Sequence, residues 1–396
     1  MFSLLLAIIY LAFVSLGLPD SLLGSAWPVM QGELSVPLSS VGLLTMLISG
    51  CTIISSLFAD RVIRRFGTGV VTSVSVAVSA LALFGFSVSG SFPMLFVWAI
   101  PYGLCGGAVD AALNNYVAVH YSSRQMSWLH ACWGVGVTIS PYIMSFCLTK
   151  QLGWEMGYRT VGILQLVLAI FMFSTLSVWK KGKNKEDGET ESKEEIKVIS
   201  IPKALKIKGV PFVLISFFCF CAIETTAGLW ASSYMVGYRG VSAETAASFT
   251  ALFYLGETVG RFINGVIADR FGDKKMIRVG SIGMLLGVGM ILLPLSTDAV
   301  ALCGLVVLGL GAAPVYPCII HSTPVNFGKE NSQSLVGIQM ASAYCGSTFM
   351  PPVFGIVAQY IHVSLYPVFL GVFAVLLLGL TEYVNHILAK KPSGKE

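Results

Sequence analysis

Twelve apolar runs, each of about 20 residues or more and parted by short polar connectors, fill almost the whole of this 396-residue chain. They lie at 3–30, 39–58, 69–90, 93–119, 126–149, 157–179, 210–236, 244–268, 276–296, 299–323, 332–358 and 363–388. As a helix, each is long enough to cross ~30 Å of hydrocarbon. A helix also satisfies its own backbone where no water can. Hydrophobic residues make up 55% of the chain and charged residues 11%, too few charges to clothe a soluble domain of this length. The expected fold class is an all-α membrane protein with twelve transmembrane helices.

Charge sets the orientation. With both termini in the cytoplasm, Lys150, Arg159 and Arg239 fall outside and Arg261 within a span, while the other 21 of the 25 Lys and Arg residues fall inside. That asymmetry matches the positive-inside rule and predicts a multi-pass protein of the cell membrane. The net charge of +5 is not gathered on one soluble face, so nucleic acid is not an expected partner. The nine cysteines all lie in apolar spans, without CxxC or zinc-ligand spacing. They read as small packing residues. No basic segment precedes the first apolar run, so that run is expected to be kept as a helix.

Residues 180–208 interrupt the rhythm with nine lysines and six acids. They read as a solvated cytoplasmic linker, with a short interfacial helix around Ile201–Ile207. The expected division is a six-helix bundle over 1–179, a linker over 180–209 and a second six-helix bundle over 210–396. The halves repeat one another. Ala59-Asp60-Arg61 recurs as Ala268-Asp269-Arg270 at a shift of 209, Asp20 with Gly24 recurs as Glu224 with Gly228 at 204, and Gly136 with Pro141 recurs as Gly346 with Pro351 at 210. A parallel duplication of six-helix units places a binding site near the midplane, between the halves.

On these features the chain resembles the major facilitator superfamily over essentially its whole length. The resemblance rests on the six-plus-six organisation and on the charged loop Ala59 to Gly67. The counterpart at Ala268 to Lys275 is the closer match, since Ile63 stands where the first loop usually has glycine. A narrower resemblance is to the fucose permease group. Asp110, followed by Asn114, Asn115 and Tyr116, is similar to that group's Glu-x-x-x-Asn-Pro-Tyr segment, with Asp for Glu and Asn115 for Pro. Asp20, after Leu18 and Pro19, sits where the group carries an acid in its first helix. The resemblance implies two pseudo-symmetric bundles working by alternating access, with both acids serving proton-coupled sugar uptake.

The residues support a site independently. A carboxylate at membrane depth costs at least ~2.5–3.5 kcal/mol and normally faces a protein-lined cavity. Asp20, Asp110 and Glu224 are therefore the candidate proton-coupling groups. Burial in general disfavours the charged form of a carboxyl group, which a proton carrier exploits. If Asp20 and Asp110 share a cavity, they titrate as a pair. Asn114 and Asn115 both donate and accept, as a sugar hydroxyl does. Trp27, Trp133 and Trp230 are candidates for stacking on a sugar face, with packing the plainer alternative. His130, Asn264 and Gln339 are further candidates for lining the cavity. Glu257 and Arg261, four residues apart, suit an intrahelical ion pair, and Arg261 also suits a state-dependent latch. Asp60, Arg61, Arg65, Asp269, Arg270 and Lys274 are the expected gating residues of the two loops, and His321 lies near the same gate.

The expected function is a proton-coupled symporter of a small polar solute, a monosaccharide first, acting as a monomer and without a cofactor. Sodium is the alternative coupling ion, with Thr225 or Thr226 supplying hydroxyls near Glu224. A drug or metabolite antiporter and a non-transporting sensor on the same scaffold are the rival readings. No HExxH, GxSxG or phosphate-binding glycine loop is present, so an enzyme is not expected.

Overall fold

Each of the twelve apolar runs forms a helix, and two of them are broken in mid-span. The computed structural model describes residues 4–120, 123–179, 201–295 and 297–389; within these, the side chains of Asp60, Arg61, Asn115 and Asp269 lie outside the described residues. The first span comprises α1 (Leu4–Asp20) and α2 (Leu22–Glu33), followed by α3 (Ser40–Phe66), α4 (Thr68–Ser87), α5 (Phe92–His120), α6 (Ser123–Thr149) and α7 (Gly153–Ser174). A short helix α8 (Ile201–Ala204) precedes α9 (Val210–Gly237), α10 (Ala243–Phe271) and α11 (Asp273–Leu292). The tenth span is α12 (Ala299–Ala312) with α13 (Val315–Phe327), and α14 (Lys329–Tyr360) and α15 (Tyr366–Ala389) complete the chain.

Eight of these rods are long and apolar enough to cross a membrane by length and composition, among the described residues. The other four, α3, α5, α10 and α14, are 27 to 32 residues long. Two of these carry ionisable groups inside their spans: Asp110 in α5, and Glu257 and Arg261 in α10. Of the linker, residues 180–200 lie outside the described residues. The stretch after them is docked, with Ala204 and Val210 buried against Phe327 and Leu335.

In the first bundle α1 packs on α6, α3 on α5, and α4 on α5 and α7. In the second, α9 packs on α14 and α15, α10 on α12, and α11 on α12 and α15. Lipid tails are as apolar as leucine, so close backbone approach and polar contacts hold such helices together. Glycine supplies the approach, and the two halves use it alike. A Cβ on Gly136 of α6 would strike the Val14 carbonyl of α1, and one on Gly346 of α14 would strike the Phe218 carbonyl of α9. Val14 and Phe218 are separated by the same 204 residues as Asp20 and Glu224. The duplicated positions therefore make duplicated contacts. The outward faces remain apolar, with Leu43, Val97, Ile170, Val279 and Val375 exposed to the lipid side.

The halves meet chiefly along α6 and α10, with α3 on α14 and α2 on α9 and α10. Among the described residues, the hydrogen bonds that join them lie near mid-depth and at the end remote from the basic loops. There the Leu38 N–H donates to Gln359 Oε1 at 2.9 Å, and the Ser145 hydroxyl donates to the Glu244 carbonyl at 2.7 Å. Gly24 lies on the Gly228 and Leu229 backbone, Gly42 on Pro352, and Gly355 on Trp230 and Ser39. That far end is sealed by backbone.

Candidate functional site

The site begins at the break in the first span. Pro19 has no N–H to offer the Ser15 carbonyl one turn earlier. Gln165 of α7 takes up that carbonyl with Nε2 and accepts the Ser15 hydroxyl on Oε1 at 2.8 Å. The helix lapses at Ser21, whose hydroxyl donates to the Val137 carbonyl of α6 at 2.7 Å, while Ser140 caps the Leu18 carbonyl. Asp20 is the last residue before the lapse. It stands near the middle of the 30-residue rod Leu4–Glu33, and its side chain is exposed. An acid is therefore left accessible at mid-span.

Two donors hold its carboxylate. The Tyr102 hydroxyl of α5 donates to Oδ1 at 2.6 Å, and the Trp133 indole N–H of α6 donates to Oδ2 at 2.9 Å. Hydrogen bonds to an ionised acceptor are about twice as strong as neutral ones, so the pair fixes both oxygens of one rotamer. Asp110, on the same helix as Tyr102, is half-buried and within electrostatic reach of Asp20. Asn114 Nδ2 donates to its Oδ1 at 2.7 Å and to its backbone carbonyl at 3.1 Å. The Asn115 side chain is outside the described residues.

The second half meets these acids with a cation. Arg261 of α10 donates through Nη2 to Glu224 of α9 at 2.8 Å and to Glu257 at 2.6 Å. The ion pair expected between Glu257 and Arg261 is thus one arm of a triad that the sequence spacing did not reveal, because Glu224 comes from another helix. Glu257 is 1% exposed and Arg261 8%. One buried guanidinium opposes two carboxyl groups, and its Nη1 has no hydrogen-bond partner among the described residues. Arg261 also crosses between the halves: its Cζ lies 5.2 Å from the Trp133 ring centroid, within cation–π range. A chain of contacts therefore runs Tyr102–Asp20–Trp133–Arg261–Glu224.

His130 joins this region through rings, 5.7 Å from Phe13 and 6.0 Å from Tyr316 across the interface. Tyr316 lies in the first turn of α13, just after the tenth span is broken at Pro314. Like Tyr344 of α14, it is within electrostatic reach of Asp110.

Four candidate lining residues stand elsewhere. Trp27 and Trp230 are 0% exposed, and their indole N–H groups go to the Leu38 and Pro351 carbonyls at 2.9 Å each. Both indoles are packing residues, with no face left for a solute. Asn264 is buried with its Oδ1 toward the Cys318 thiol. Gln339 is buried and exchanges hydrogen bonds with Thr323 at 3.0 and 3.1 Å. Each is spent inside the second bundle. Of the gating residues, Arg65, Arg270 and Lys274 are exposed, with Arg65 lying over Phe66. Asp60, Arg61 and Asp269 are outside the described side chains. His321 pairs with Asp273 at 2.8 Å within its own half.

Sequence reasoning did not single out Tyr102 or Tyr316. Their signal was a hydroxyl inside an otherwise apolar span, which is too common to stand out. Trp133, expected either to stack on a sugar or to pack, instead engages both its N–H and its ring.

A model of the Major Facilitator Superfamily matches this chain over residues 9–323 and again over 212–393. The hexuronate transporter of Bacillus subtilis (strain 168) is 24% identical over 280 residues, which is 69% of this chain and 65% of that protein. Among solved structures, the nucleoside transporter NupG superposes with a TM-score of 0.76 at 12% identity, covering 97% of this chain and 100% of that one. FucP, in the outward conformation, superposes at 0.66 and 13% identity, covering 96% and 98%. At these identities the two structures speak for the fold.

Proposed function

The chain belongs to the Major Facilitator Superfamily, and on that footing we propose that this multi-pass transporter couples proton entry to the uptake of a small polar solute, a monosaccharide or a close relative of one. The observation that carries the reading is Asp20: an exposed acid at mid-span, held by one donor from each of two helices. An acid so placed takes a proton from the water that reaches it and gives it up when that water opens to the other side. Asp110 with Asn114 offers the solute a paired acceptor and donor, the pattern a sugar hydroxyl matches.

With the basic loops in the cytoplasm, the sealed far end is the outer one, and the solute leaves toward the cell interior. Neutralising Asp20 removes the cost of carrying a bare charge through an occluded state. Solute and proton drive the change only through unequal affinity for its two states.

A second reading, uptake of a sugar acid, is favoured by one observation. Arg261 keeps a buried Nη1 that has no partner among the described residues, a donor suited to a carboxylate that reaches it, in line with a relative named a hexuronate transporter. A thermal-shift screen of the purified protein against neutral sugars, sugar acids, polyols and nucleosides separates the two, because a bound solute stabilises the folded state. The solute that binds is then tested in proteoliposomes. An inward proton gradient speeds entry for a symporter and exit for an antiporter. Binding without counterflow would make the protein a sensor.

A further inference from the structure

We infer that Trp133 is a bridge between the halves: through it, the charge on Asp20 in the first half sets how firmly Arg261 in the second holds α10 against α6. The inference rests on the reading of Asp20 as the proton site and adds the route by which its state is felt across the interface.

Trp133 has two engagements on two sides. Its N–H donates to Asp20 Oδ2 at 2.9 Å. Its ring receives the Arg261 guanidinium at 5.2 Å and meets the Tyr254 ring in a T-shaped contact at 6.3 Å, both from α10. The residues after it continue the seam. Gly134 seats the Thr258 side chain, and the Thr138 and Thr258 hydroxyls lie 3.3 Å apart. Behind Trp133, its own carbonyl lies against Gly17 of α1, where a Cβ would not fit. The indole therefore has little freedom to yield without moving the seam.

The coupling is electronic and geometric. An indole N–H that donates to a carboxylate shifts electron density onto its ring, and a richer ring face attracts a cation more strongly. When Asp20 is neutral, the bond weakens and the ring loses both that density and its fixed tilt. Tyr102, the other donor to Asp20, packs on Phe86 within the first half, so it anchors the acid without carrying the signal onward.

The test needs no solute. Spin labels are placed at Lys150→Cys and Thr245→Cys, exposed sites at the far ends of α6 and α10, after the exposed Cys303 and Cys345 are replaced by alanine. Pulsed dipolar spectroscopy in lipid nanodiscs then gives the ratio of closed to open far-end distances. Asp20→Asn and Trp133→Phe should each lower that ratio about tenfold, the scale of a lost charge-assisted hydrogen bond. The double variant should lower it no further than either alone. Arg261→Lys should behave as Trp133→Phe does, which gives a second route should the indole variant fail to fold. Tyr102→Phe should stay within about twofold of wild type, below the effect expected for a charge-assisted bond. Full additivity in the double variant would overturn the bridge, as would an effect of Tyr102→Phe equal to that of Trp133→Phe. A shift with Asp20→Asn but none with Trp133→Phe or Arg261→Lys would sink the bridge and spare the proton site. No shift with Asp20→Asn would sink both.

Discussion

Arg261 shows why a buried charge in this protein reads as a working part. Its guanidinium is nearly enclosed, shared by two glutamates and laid over an indole from the other half. Removing one partner of a buried ion pair costs ~3–5 kcal/mol, because the remaining charge is left uncompensated. Arg261→Met strands Glu224 and Glu257 against each other and should lower the thermal midpoint in detergent clearly. Glu257→Gln leaves Glu224 on the same nitrogen and should cost less, about 1–3 kcal/mol. Equal midpoints for Arg261→Met and wild type would show that the triad carries no such load. Asp110 makes a different demand. It is held by a neighbour on its own helix, so Asp110→Asn should fold normally yet abolish gradient-driven accumulation of the solute. Counterflow measured in the same variant tells a proton role from a binding role. Asp20, Asp110 and Glu224 were legible in the sequence because an acid inside an apolar span has few bland explanations. Tyr102 was not, and Trp133 could not be told from Trp27 and Trp230, because an aromatic in a membrane span is ordinarily packing. The contact that distinguishes Trp133 from Trp27 joins residues 113 apart in the chain.

Helix pairs in this molecule are set by glycine, and the glycines differ in what they do. Gly136 and Gly346 sit inside one half each, where a side chain would separate α6 from α1 or α14 from α9. Gly136→Leu should reduce the yield of folded protein, read by size-exclusion profile. Gly24 sits between halves, on the Gly228 and Leu229 backbone. Gly24→Leu should leave each bundle intact and disfavour far-end closure, lengthening the distance between labels on α6 and α10. Gly32 has open space around it, and Gly32→Ala should be neutral or slightly stabilising, by up to ~1 kcal/mol of helix propensity. An unchanged distance distribution in Gly24→Leu would mean that the far end is not held shut by this contact. The spans themselves were legible from their length, since a run of about 20 apolar residues admits one reading. The mid-span lapse at Ser21 was signalled only by Pro19. The lapse at Ala313 and Pro314 places Tyr316 at the interface, which the apolar run around it conceals.

At the scale of the whole molecule, two copies of one design close on each other at the far end and meet at mid-depth through charged and aromatic groups. The duplication was visible in spacing alone, at shifts of 204 to 210 residues. The structure shows what that spacing does, in Gly136 on Val14 and Gly346 on Phe218. What spacing could not show is the asymmetry laid over the repeat. Asp20 is exposed and held by neutral donors, whereas its counterpart Glu224 is held by a buried arginine. We read the first as the group that changes its proton and the second as part of the frame against which that change is felt. The direct test is uptake by proteoliposomes of the solute that the binding screen identifies, with and without an inward proton gradient, for wild type and Asp20→Asn. The account predicts that the gradient drives wild type to accumulate the solute and leaves Asp20→Asn merely equilibrating it. Accumulation by Asp20→Asn equal to wild type, or uptake by wild type indifferent to the gradient, would contradict it.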